Sequence, residues 1–228
     1  MATVIFIADN RELDNISADE IYELSLFGEG ETFRLKKIKN PRRRAESATG
    51  LICLRKALRY LNLTKANKSF EIVRDADGRP SFADIDLPDF SITHDGVLSV
   101  AVLSDKARVG IDIEEIDMEK GKIITDSQKK LADRFFSTSE KERLHQKAYL
   151  SDEFFKIWTE KEAYAKMCGK GLSKILAERE ELENKNEETN FLCFEIIHRQ
   201  ERYILTLCSD KAEKAEVIAP DVILTEIK

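Results

Sequence analysis

Residues 109–114 read Val109-Gly110-Ile111-Asp112-Ile113-Glu114, and apolar residues alternate there with small or acidic ones. This period of two predicts a β-strand with one apolar face. Asp112 and Glu114 would share the other face, roughly 6.6–6.8 Å apart along the strand. Because neighbouring carboxylates repel each other, the pattern has two interpretations: a solvated face of an edge strand, or a pair of oxygen ligands for a divalent cation such as Mg²⁺.

The clearest helix follows at Ser151–Cys168, just before a glycine that would end it. Trp158, Glu162 and Lys166 recur every four residues and therefore lie one above another on one helix face. The simpler interpretation is an exposed Glu162–Lys166 ion pair. The only tryptophan of the chain lies on the same stripe, which favours a partly covered face. In that case Glu162 would complete a three-carboxylate cation site with the two acids of the strand, and Lys166 would neutralise phosphate oxygens.

A basic run precedes both motifs. Seven bases and no acid lie between Arg34 and Arg44. Asn40-Pro41 predicts the start of a helix that runs to about Leu61. Arg42 and the two arginines after it then fall in the first helical turn, where the helix dipole disfavours cations. They either point to solvent or bind a multiply charged anion at the helix start.

Two short motifs add a hydroxyl, an imidazole and a carboxylate. Thr93 and His94 precede Asp95-Gly96, a two-residue turn that predicts a hairpin. A single histidine in this setting is most often structural. Glu140 closes the stretch Ser137-Thr138-Ser139-Glu140, which predicts a capping box and gives Glu140 a sufficient role as a helix cap.

Strands and helices are mixed along the chain. Strands are predicted at Val4–Ala8, Ser69–Val73, Phe90–Thr93, Val97–Leu103, Val109–Glu114, Phe191–Ile197, Tyr203–Cys208 and Val222–Ile227, and helices at 40–61, 125–136 and 151–168. A turn is predicted at Asp77–Pro80 and an acidic loop at Ala177–Thr189. The pattern predicts an α+β fold of two similar lobes, residues 1–108 and 109–228, which pack tightly because no Pro/Gly/Ser-rich linker separates them.

Composition argues against several classes of protein. The 37 bases and 43 acids give a net charge of −6, which disfavours a protein that coats nucleic acid. No apolar run reaches the ~20 residues of a membrane span, and the first residues lack the features of a signal peptide. The four cysteines are scattered and only three histidines are present, so we expect free thiols in a reducing cytoplasm and no transition-metal site.

Taken together and in order, the motifs resemble the 4′-phosphopantetheinyl transferases, specifically their longer, surfactin-type branch. The matching segments are Gly78-Arg79-Pro80, Ser91-Ile92-Thr93-His94, Val109–Glu114, Arg134–Ser137 with Glu140, Trp158–Lys166 and Gly169–Leu172. They cover about residues 40–172, and the combination of Gly-Ile-Asp with Trp-x-x-Lys-Glu-Ala-x-x-x-Lys is highly specific. The resemblance implies that the phosphopantetheine arm of coenzyme A moves to a serine of an apo acyl or peptidyl carrier protein, with Mg²⁺ required and 3′,5′-ADP released.

The resemblance also implies the roles of individual residues. Asp112, Glu114 and Glu162 would ligate the metal. Glu162 would also accept the serine proton, Lys166 would stabilise or protonate the leaving phosphate, and Glu140 would orient the attacking hydroxyl or a water. Contacts to coenzyme A would come from Arg42, Gly78, Arg79, Pro80, Thr93, His94, Asp112 and Lys166.

Some positions depart from the family's usual pattern. Arg79 stands where lysine is commoner and Thr93 where serine is usual, while Asp95 adds a negative charge beside His94. Short members of the family assemble as trimers. At 228 residues this chain resembles two short members fused, which implies two lobes related by a pseudo-two-fold, one site in the cleft between them, and a monomer.

Two other functions stay open at this point. A Mg²⁺-dependent nuclease or phosphohydrolase would also use three carboxylates and a lysine, but it leaves the segments at 78–80 and 93–94 unexplained. A catalytically silent carrier-binding module would be favoured by the loss of a motif carboxylate, and none is missing. Carrier proteins are usually acidic, so candidates for a docking rim, or else ordinary solvated side chains, are Lys129, Lys130, Arg134, Phe135 and Lys141.

Overall fold

The computed structural model describes residues 3–13, 27–63, 70–119, 121–177, 189–211, 214–218 and 223–227, the last of these as backbone only. Its strands are β1 (Thr3–Asp9), β2 (Ile72–Arg74), β3 (Pro80–Phe82), β4 (Asp89–Asp95), β5 (Leu98–Ser104), β6 (Val109–Ile116), β7 (Asn190–His198), β8 (Glu201–Ser209), β9 (Ala215–Ile218) and β10 (Ile223–Ile227). Its α-helices are α1 (Glu29–Lys37), α2 (Pro41–Tyr60), α3 (Asp126–Phe135), α4 (Thr138–Gln146), α5 (Ser151–Cys168) and α6 (Leu172–Ala177), with a 3₁₀ turn at Asn10–Leu13. The predicted α+β class is confirmed.

The first sheet has the strand order β4-β5-β1-β9 and lies under α2. That helix begins where the sequence predicts, because the Asn40 side chain accepts a hydrogen bond from the Arg43 amide at 3.2 Å and Pro41 occupies the first turn. Leu51, Leu54 and other apolar side chains of α2 pack against one face of the sheet.

The second sheet, β10-β7-β8-β6, is antiparallel throughout. Val109, Ile111 and Ile113 point from β6 into an apolar core between the two sheets, as the period of two predicts. Helix α5 packs on the other face of this sheet, against β6 and β8. The layers are therefore helix, sheet, sheet and helix.

The edge strands β4 and β6 of the two sheets lie side by side and form a seam. The amides of residues 109, 111 and 115 donate to the side chains of Asp89 (2.8 Å), Ser91 (3.3 Å) and Asp95 (2.7 Å). Because the residue numbers of the bonded positions increase together along β4 and β6, the two strands run in the same direction. Side chains of β4 thus satisfy amides that an edge strand would otherwise expose.

Gly110 allows α5 to approach β6 closely. A Cβ atom on Gly110 would lie 2.0 Å from the Ala163 carbonyl oxygen and 2.4 Å from the Met167 amide nitrogen. Both atoms belong to the helix backbone, which cannot move aside as a side chain can. The glycine therefore sets the distance at which the helix lies on the strand.

We expect Gly110→Ala to lower the free energy of unfolding by about 3 kcal/mol, the upper end of the usual cost of overpacking, because the clash is with backbone. Urea denaturation of the two proteins measures the difference. Gly30→Ala is the matched control, because its Cβ would meet only Glu71 Oε2, at an ordinary 3.6 Å. A Gly110→Ala variant as stable as the wild type would contradict the close approach.

A buried ion pair joins α1 to β2. Glu31 is 1% exposed and accepts hydrogen bonds from Arg34 Nε (2.7 Å) and Arg74 Nη1 (2.6 Å). Burial alone would raise the pKa of Glu31, but the hydrogen bonds and charges of the two arginines outweigh it and lower the pKa below its usual 4.5. The ionised Glu31 therefore stabilises the folded chain at neutral pH.

Replacing Glu31 by glutamine is expected to cost about 3 kcal/mol at pH 7, because it leaves two arginines facing a neutral group. The folded pKa lies below the unfolded one, so this contribution is present above pH 4.5 and is lost as the pH falls through the folded value. Urea unfolding of both proteins at pH 7 and pH 3 should show that the gap, the difference in unfolding free energy between the wild type and Glu31→Gln, is smaller at pH 3. A gap that is unchanged or wider at pH 3 would refute the pairing.

Most of the predicted elements are confirmed, including the capping box at Ser137–Glu140, and the structure adds a second capping box at Thr125–Gln128. The strand predicted at Ser69–Val73 begins only at Ile72, and Ser69 itself lies outside the described residues. So do Val222 and residues 178–188 of the predicted loop. Elements that the sequence analysis did not predict are α1, α6, β3 and β9.

Strand β9 lies beyond the predicted boundary at residue 108, yet it pairs in parallel with β1 in the first sheet. The division into residues 1–108 and 109–228 stays a prediction, and β9 from the second segment belongs to the sheet of the first. Within the described part of the chain, no helix is both long and apolar enough to cross a membrane.

Candidate active site

Asp112 lies at the seam between the sheets and is only 5% exposed, so the solvated-face interpretation of its strand is wrong for this residue. Its Oδ1 accepts hydrogen bonds from Thr93 Oγ1 at 3.1 Å and from Lys166 Nζ at 2.6 Å. Lys166 also donates to Thr93 Oγ1 at 2.9 Å. The seam thus joins three predicted site residues from β4, β6 and α5, while the buried Asp112 Oδ2 has no hydrogen-bond partner.

Glu114 is held by the single tryptophan. Trp158 Nε1 donates to Glu114 Oε1 at 3.0 Å, while the indole ring stacks near Phe154 and meets Phe135 edge-on. The predicted covered stripe on α5 is confirmed, since Trp158, Glu162 and Lys166 are all half-buried.

The protein environment disfavours the ionised forms of Asp112, Glu114 and Glu162. Burial, followed by the charges of Asp112 and Asp95, raises the pKa of Glu114 to about 8. Burial also raises the pKa of Asp112, although Lys166 acts in the opposite direction. The pKa of Glu162 is raised by burial and then by Asp112. A cation among these groups would stabilise their ionised forms.

The residues present fit a hard divalent cation. The donors are carboxylate oxygens, which Mg²⁺ prefers, and Asp112 Oδ2 is a buried acceptor without a partner. Within the described residues, no three His, Cys, Asp or Glu side chains are already grouped as a metal site. The ligand set Asp112, Glu114 and Glu162 therefore stays a prediction, with the Lys166 ammonium on the same Asp112 carboxylate.

If these carboxylates bind Mg²⁺, the metal should raise the free energy of unfolding by about 2.7 kcal/mol at a hundred times its dissociation constant. Thermal unfolding with and without MgCl₂ measures this gain in the absence of any substrate. Asp112→Asn and Glu162→Gln should each remove most of it, and Glu119→Gln, on an exposed turn, should keep it. An equal gain in all four proteins would rule out this ligand set.

A cleft of about 300 Å³ opens beside Glu162 and Lys166. Its lining residues are Asp77, Gly78, Arg79, Pro80, Phe90, Ser91, Ile92, Glu162, Ala165, Lys166, Gly169, Lys170, Gly171 and Leu172. One wall comes from the predicted turn and β4, and the other from α5 and the start of α6. The cleft brings together the Gly78-Arg79-Pro80 and Gly169–Leu172 segments, which are far apart in sequence.

Arg79 lines this cleft, but its charge already has a partner. The side chain is 10% exposed, and Nη2 donates to both oxygens of Asp89, at 2.9 and 2.7 Å. Nε donates to the Lys166 carbonyl oxygen at 3.2 Å. The sequence did not indicate Asp89, and the contact of Arg79 with coenzyme A stays a prediction.

Arg42 and His94 converge on a residue that the sequence analysis missed. Glu46, 8% exposed, accepts from Arg42 Nε at 3.2 Å, and its other oxygen lies 3.5 Å from His94 Nδ1. Burial lowers the pKa of His94 although Glu46 acts against this. Arg42 also donates to the Gly96 carbonyl oxygen at 3.0 Å. The i, i+4 spacing of Arg42 and Glu46 on a predicted helix could have indicated this ion pair.

Glu140 performs the capping role that its motif predicts. One oxygen accepts from the Ser137 amide at 2.7 Å, and both accept from Lys161 Nζ, at 2.9 and 2.7 Å. Lys161 is buried, with 3% exposure. The contacts described for Glu140 are thus structural, and its predicted catalytic role has no support from them.

Residues 108–219 match the family model of the 4′-phosphopantetheinyl transferase superfamily. The predicted resemblance is confirmed. The match begins one residue before β6 and includes the strand, Trp158 and the acidic and basic residues of α5.

Several curated 4′-phosphopantetheinyl transferases are similar to this chain. The one named gsp from Aneurinibacillus migulanus is 36% identical over 129 residues, which are 55% of this chain and 49% of that protein. The one named psf-1 from Bacillus pumilus is 36% identical over 43% of this chain and 40% of its own length. A third, from Bacillus subtilis, is 40% identical over 38% and 37%, respectively. The chain spans about half the length of the curated relatives it matches, or somewhat less.

Proposed function

We propose that this protein transfers the 4′-phosphopantetheine arm of coenzyme A to a serine of an apo acyl or peptidyl carrier protein and releases 3′,5′-ADP. The observation that carries the proposal is the meeting of Asp112, Thr93 and Lys166 across the seam, beside a cleft that Glu162 and Lys166 line. The superfamily match and the names of the curated relatives support the same reaction.

In this proposal Asp112, Glu114 and Glu162 hold a Mg²⁺ ion, which neutralises charge on the pyrophosphate when bound. Glu162 accepts the proton of the attacking serine hydroxyl. Its position at the wall of the cleft suits this role, because a general base must lie within hydrogen-bond reach of the proton that it accepts. Glu140, which caps a helix and pairs with Lys161, is left out of the proton path.

Lys166 donates hydrogen bonds to the oxygens of the departing phosphate. Its ammonium donates hydrogen bonds to Asp112 and the Thr93 hydroxyl, which hold it close to the cleft. An ammonium fixed where negative charge develops stabilises the transition state more than a mobile one in water, because the protein needs little reorganisation during the reaction.

The cleft is the proposed binding site for the nucleotide half of coenzyme A. Gly78, with a φ of +89°, and Pro80 form one side of it, and the half-buried apolar side chains of Ile92 and Leu172 supply surface for a base or ribose. His94, on the β4–β5 hairpin, and Arg42, at the start of α2 with a side chain 63% exposed, are proposed to contact the phosphates.

The carrier protein is proposed to dock on α3 and the segment before α5. Lys129, Lys130 and Arg134 are exposed on α3, and the Arg134 guanidinium lies 4.9 Å from the centre of the Phe135 ring. The exposed Tyr149 adds an aromatic surface next to Lys129. A basic face with apolar residues complements an acidic carrier.

One four-element segment in each half of the chain has the same order of elements, which supports the proposed pseudo-two-fold. Segments β1-α2-β4-β5 and β6-α5-β7-β8 each consist of a strand, a long helix and a hairpin. In each sheet the second hairpin strand lies between the first hairpin strand and the opening strand. On this basis we propose a monomer with one cleft, and a cytoplasmic location is proposed from the cysteine usage.

A Mg²⁺-dependent nuclease or phosphohydrolase is less well supported. The Thr93 hydroxyl contacts both Asp112 and Lys166, and the turn at 78–80 forms a cleft wall. These are the two motifs that a hydrolase leaves unexplained.

The decisive experiment incubates the protein with coenzyme A, MgCl₂ and a panel of apo carriers, and measures the intact mass of each carrier. We expect a gain of one phosphopantetheine on a single serine. Asp112→Ala and Glu162→Ala should slow the transfer by about a hundredfold or more while the circular dichroism spectrum is unchanged. Undiminished transfer by either variant would remove that residue from the mechanism. Cleavage of DNA or RNA in parallel reactions, without any carrier modification, would favour the hydrolase.

A further inference from the structure

The last turn of α5 is held from outside the helix by two arginines. The final carbonyl groups of a helix have no partners within it. Arg79 Nε donates to the Lys166 carbonyl oxygen at 3.2 Å. Arg108 Nε donates to that of Met167 at 2.6 Å, and its Nη2 to that of Cys168 at 3.2 Å. Both cations lie at the negative end of the helix dipole, where they are stabilising.

Arg79 is itself fixed by its surroundings. Asp75 Oδ1 accepts from the Arg79 amide at 2.9 Å, and the preceding Gly78 has the positive φ that closes this turn. At the other end of the side chain, Asp89 accepts two hydrogen bonds from Nη2. The same carboxylate accepts from the amide of Val109, the first residue of β6, at 2.8 Å.

These contacts form a continuous link between two site residues. Asp89, the first residue of β4, bonds to the start of β6, the strand that carries Asp112, and Arg79 joins Asp89 to the backbone of Lys166. The side chains of Asp112 and Lys166 then meet at 2.6 Å. Because a guanidinium is planar and its N–H groups have fixed directions, one arginine can set the relative position of a carboxylate and a carbonyl group.

We propose that the Arg79–Asp89 pair positions Lys166 for the reaction, instead of presenting Arg79 as a cation to a phosphate of coenzyme A. The inference rests on the proposed function, in which Lys166 acts on the departing phosphate. A phosphate would have to compete with a carboxylate that already lies 2.7 Å from a guanidinium with 10% exposure. Arg79 and Asp89 are positioning residues here, and Arg108 holds the same helix end from its other side.

The variant Asp89→Asn separates the two roles because they predict opposite results. In a positioning role, the weaker hold on α5 should lower kcat by about tenfold and leave the KM for coenzyme A within about twofold. In a phosphate-binding role, removing the competing carboxylate frees Arg79, so the KM for coenzyme A should fall and kcat should be unchanged. Steady-state transfer at saturating carrier measures both quantities.

Two further variants make the test independent of Asp89. Arg79→Lys keeps the positive charge but loses the planar guanidinium that bonds to both Asp89 and the carbonyl group of Lys166. The positioning role therefore predicts a lower kcat, whereas the phosphate-binding role predicts an unchanged kcat. Arg108→Ala alters the helix end from a residue that does not line the cleft, and it should also lower kcat. Asp86→Asn is the matched control, since it removes an exposed carboxylate three residues before Asp89 and should leave both constants unchanged.

Native-state hydrogen exchange provides a readout without activity. The amides of Gly169 and Lys170 donate to the Ala165 carbonyl oxygen and should exchange faster in Asp89→Asn, Arg79→Lys and Arg108→Ala than in the wild type or Asp86→Asn. Faster exchange together with a lower kcat supports the proposal. Unchanged exchange, or a lower KM with unchanged kcat, would overturn it.

If the wild type transfers nothing to any carrier, the proposed function fails, while the exchange rates still decide whether the pair holds the helix end. If Asp89→Asn does not fold, the two arginine variants decide between positioning and phosphate binding.

Discussion

The backbones of β6 and α5 touch at Gly110, and the arrangement of the site depends on that contact. With no side chain between them, the helix lies close enough for the ammonium of Lys166 to reach the carboxylate of Asp112 and for the indole of Trp158 to reach Glu114. A larger residue would separate the two elements and lengthen both bonds. The glycine in the Gly-Ile-Asp motif is therefore a geometric requirement of the carboxylates beside it.

The second determinant of the site is the seam between two sheet edges. Strand β6 has no strand partner on its outer side in the described sheet, and β4 supplies acceptor side chains in place of a hydrogen-bonded ladder. This arrangement buries Asp112 and brings the Thr93 hydroxyl to it. The result is a group of acids whose ionised forms are disfavoured by the protein, which is the setting that suits a site for a cation and a phosphate.

Local patterns in the sequence predicted the elements that carry the site. The alternation at 109–114 predicted β6 and the direction of its side chains, and the four-residue spacing of Trp158, Glu162 and Lys166 predicted the stripe on α5. The burial of Asp112 was not predictable from those patterns, because it depends on β4, whose partner residues lie about twenty positions earlier. The pairing of Arg79 with Asp89 and of Arg42 with Glu46 was missed for a related reason: nothing in a linear pattern shows that a cation already has a partner. Strand β9 was missed because four residues are too few for a periodic signal.

That short strand has a consequence for how the chain is assembled. Residues 215–218 return across the molecule to pair with β1, although the segments on either side of them in sequence, β8 and β10, belong to the other sheet. The polypeptide is thus interlaced, and neither sheet is built from an uninterrupted piece of it. A fragment that stopped after β5 would expose the flank of β1 as an unpaired edge. Two fragments cut at that point should recombine through strand addition, so the halves would be complementary parts and not independent folding units.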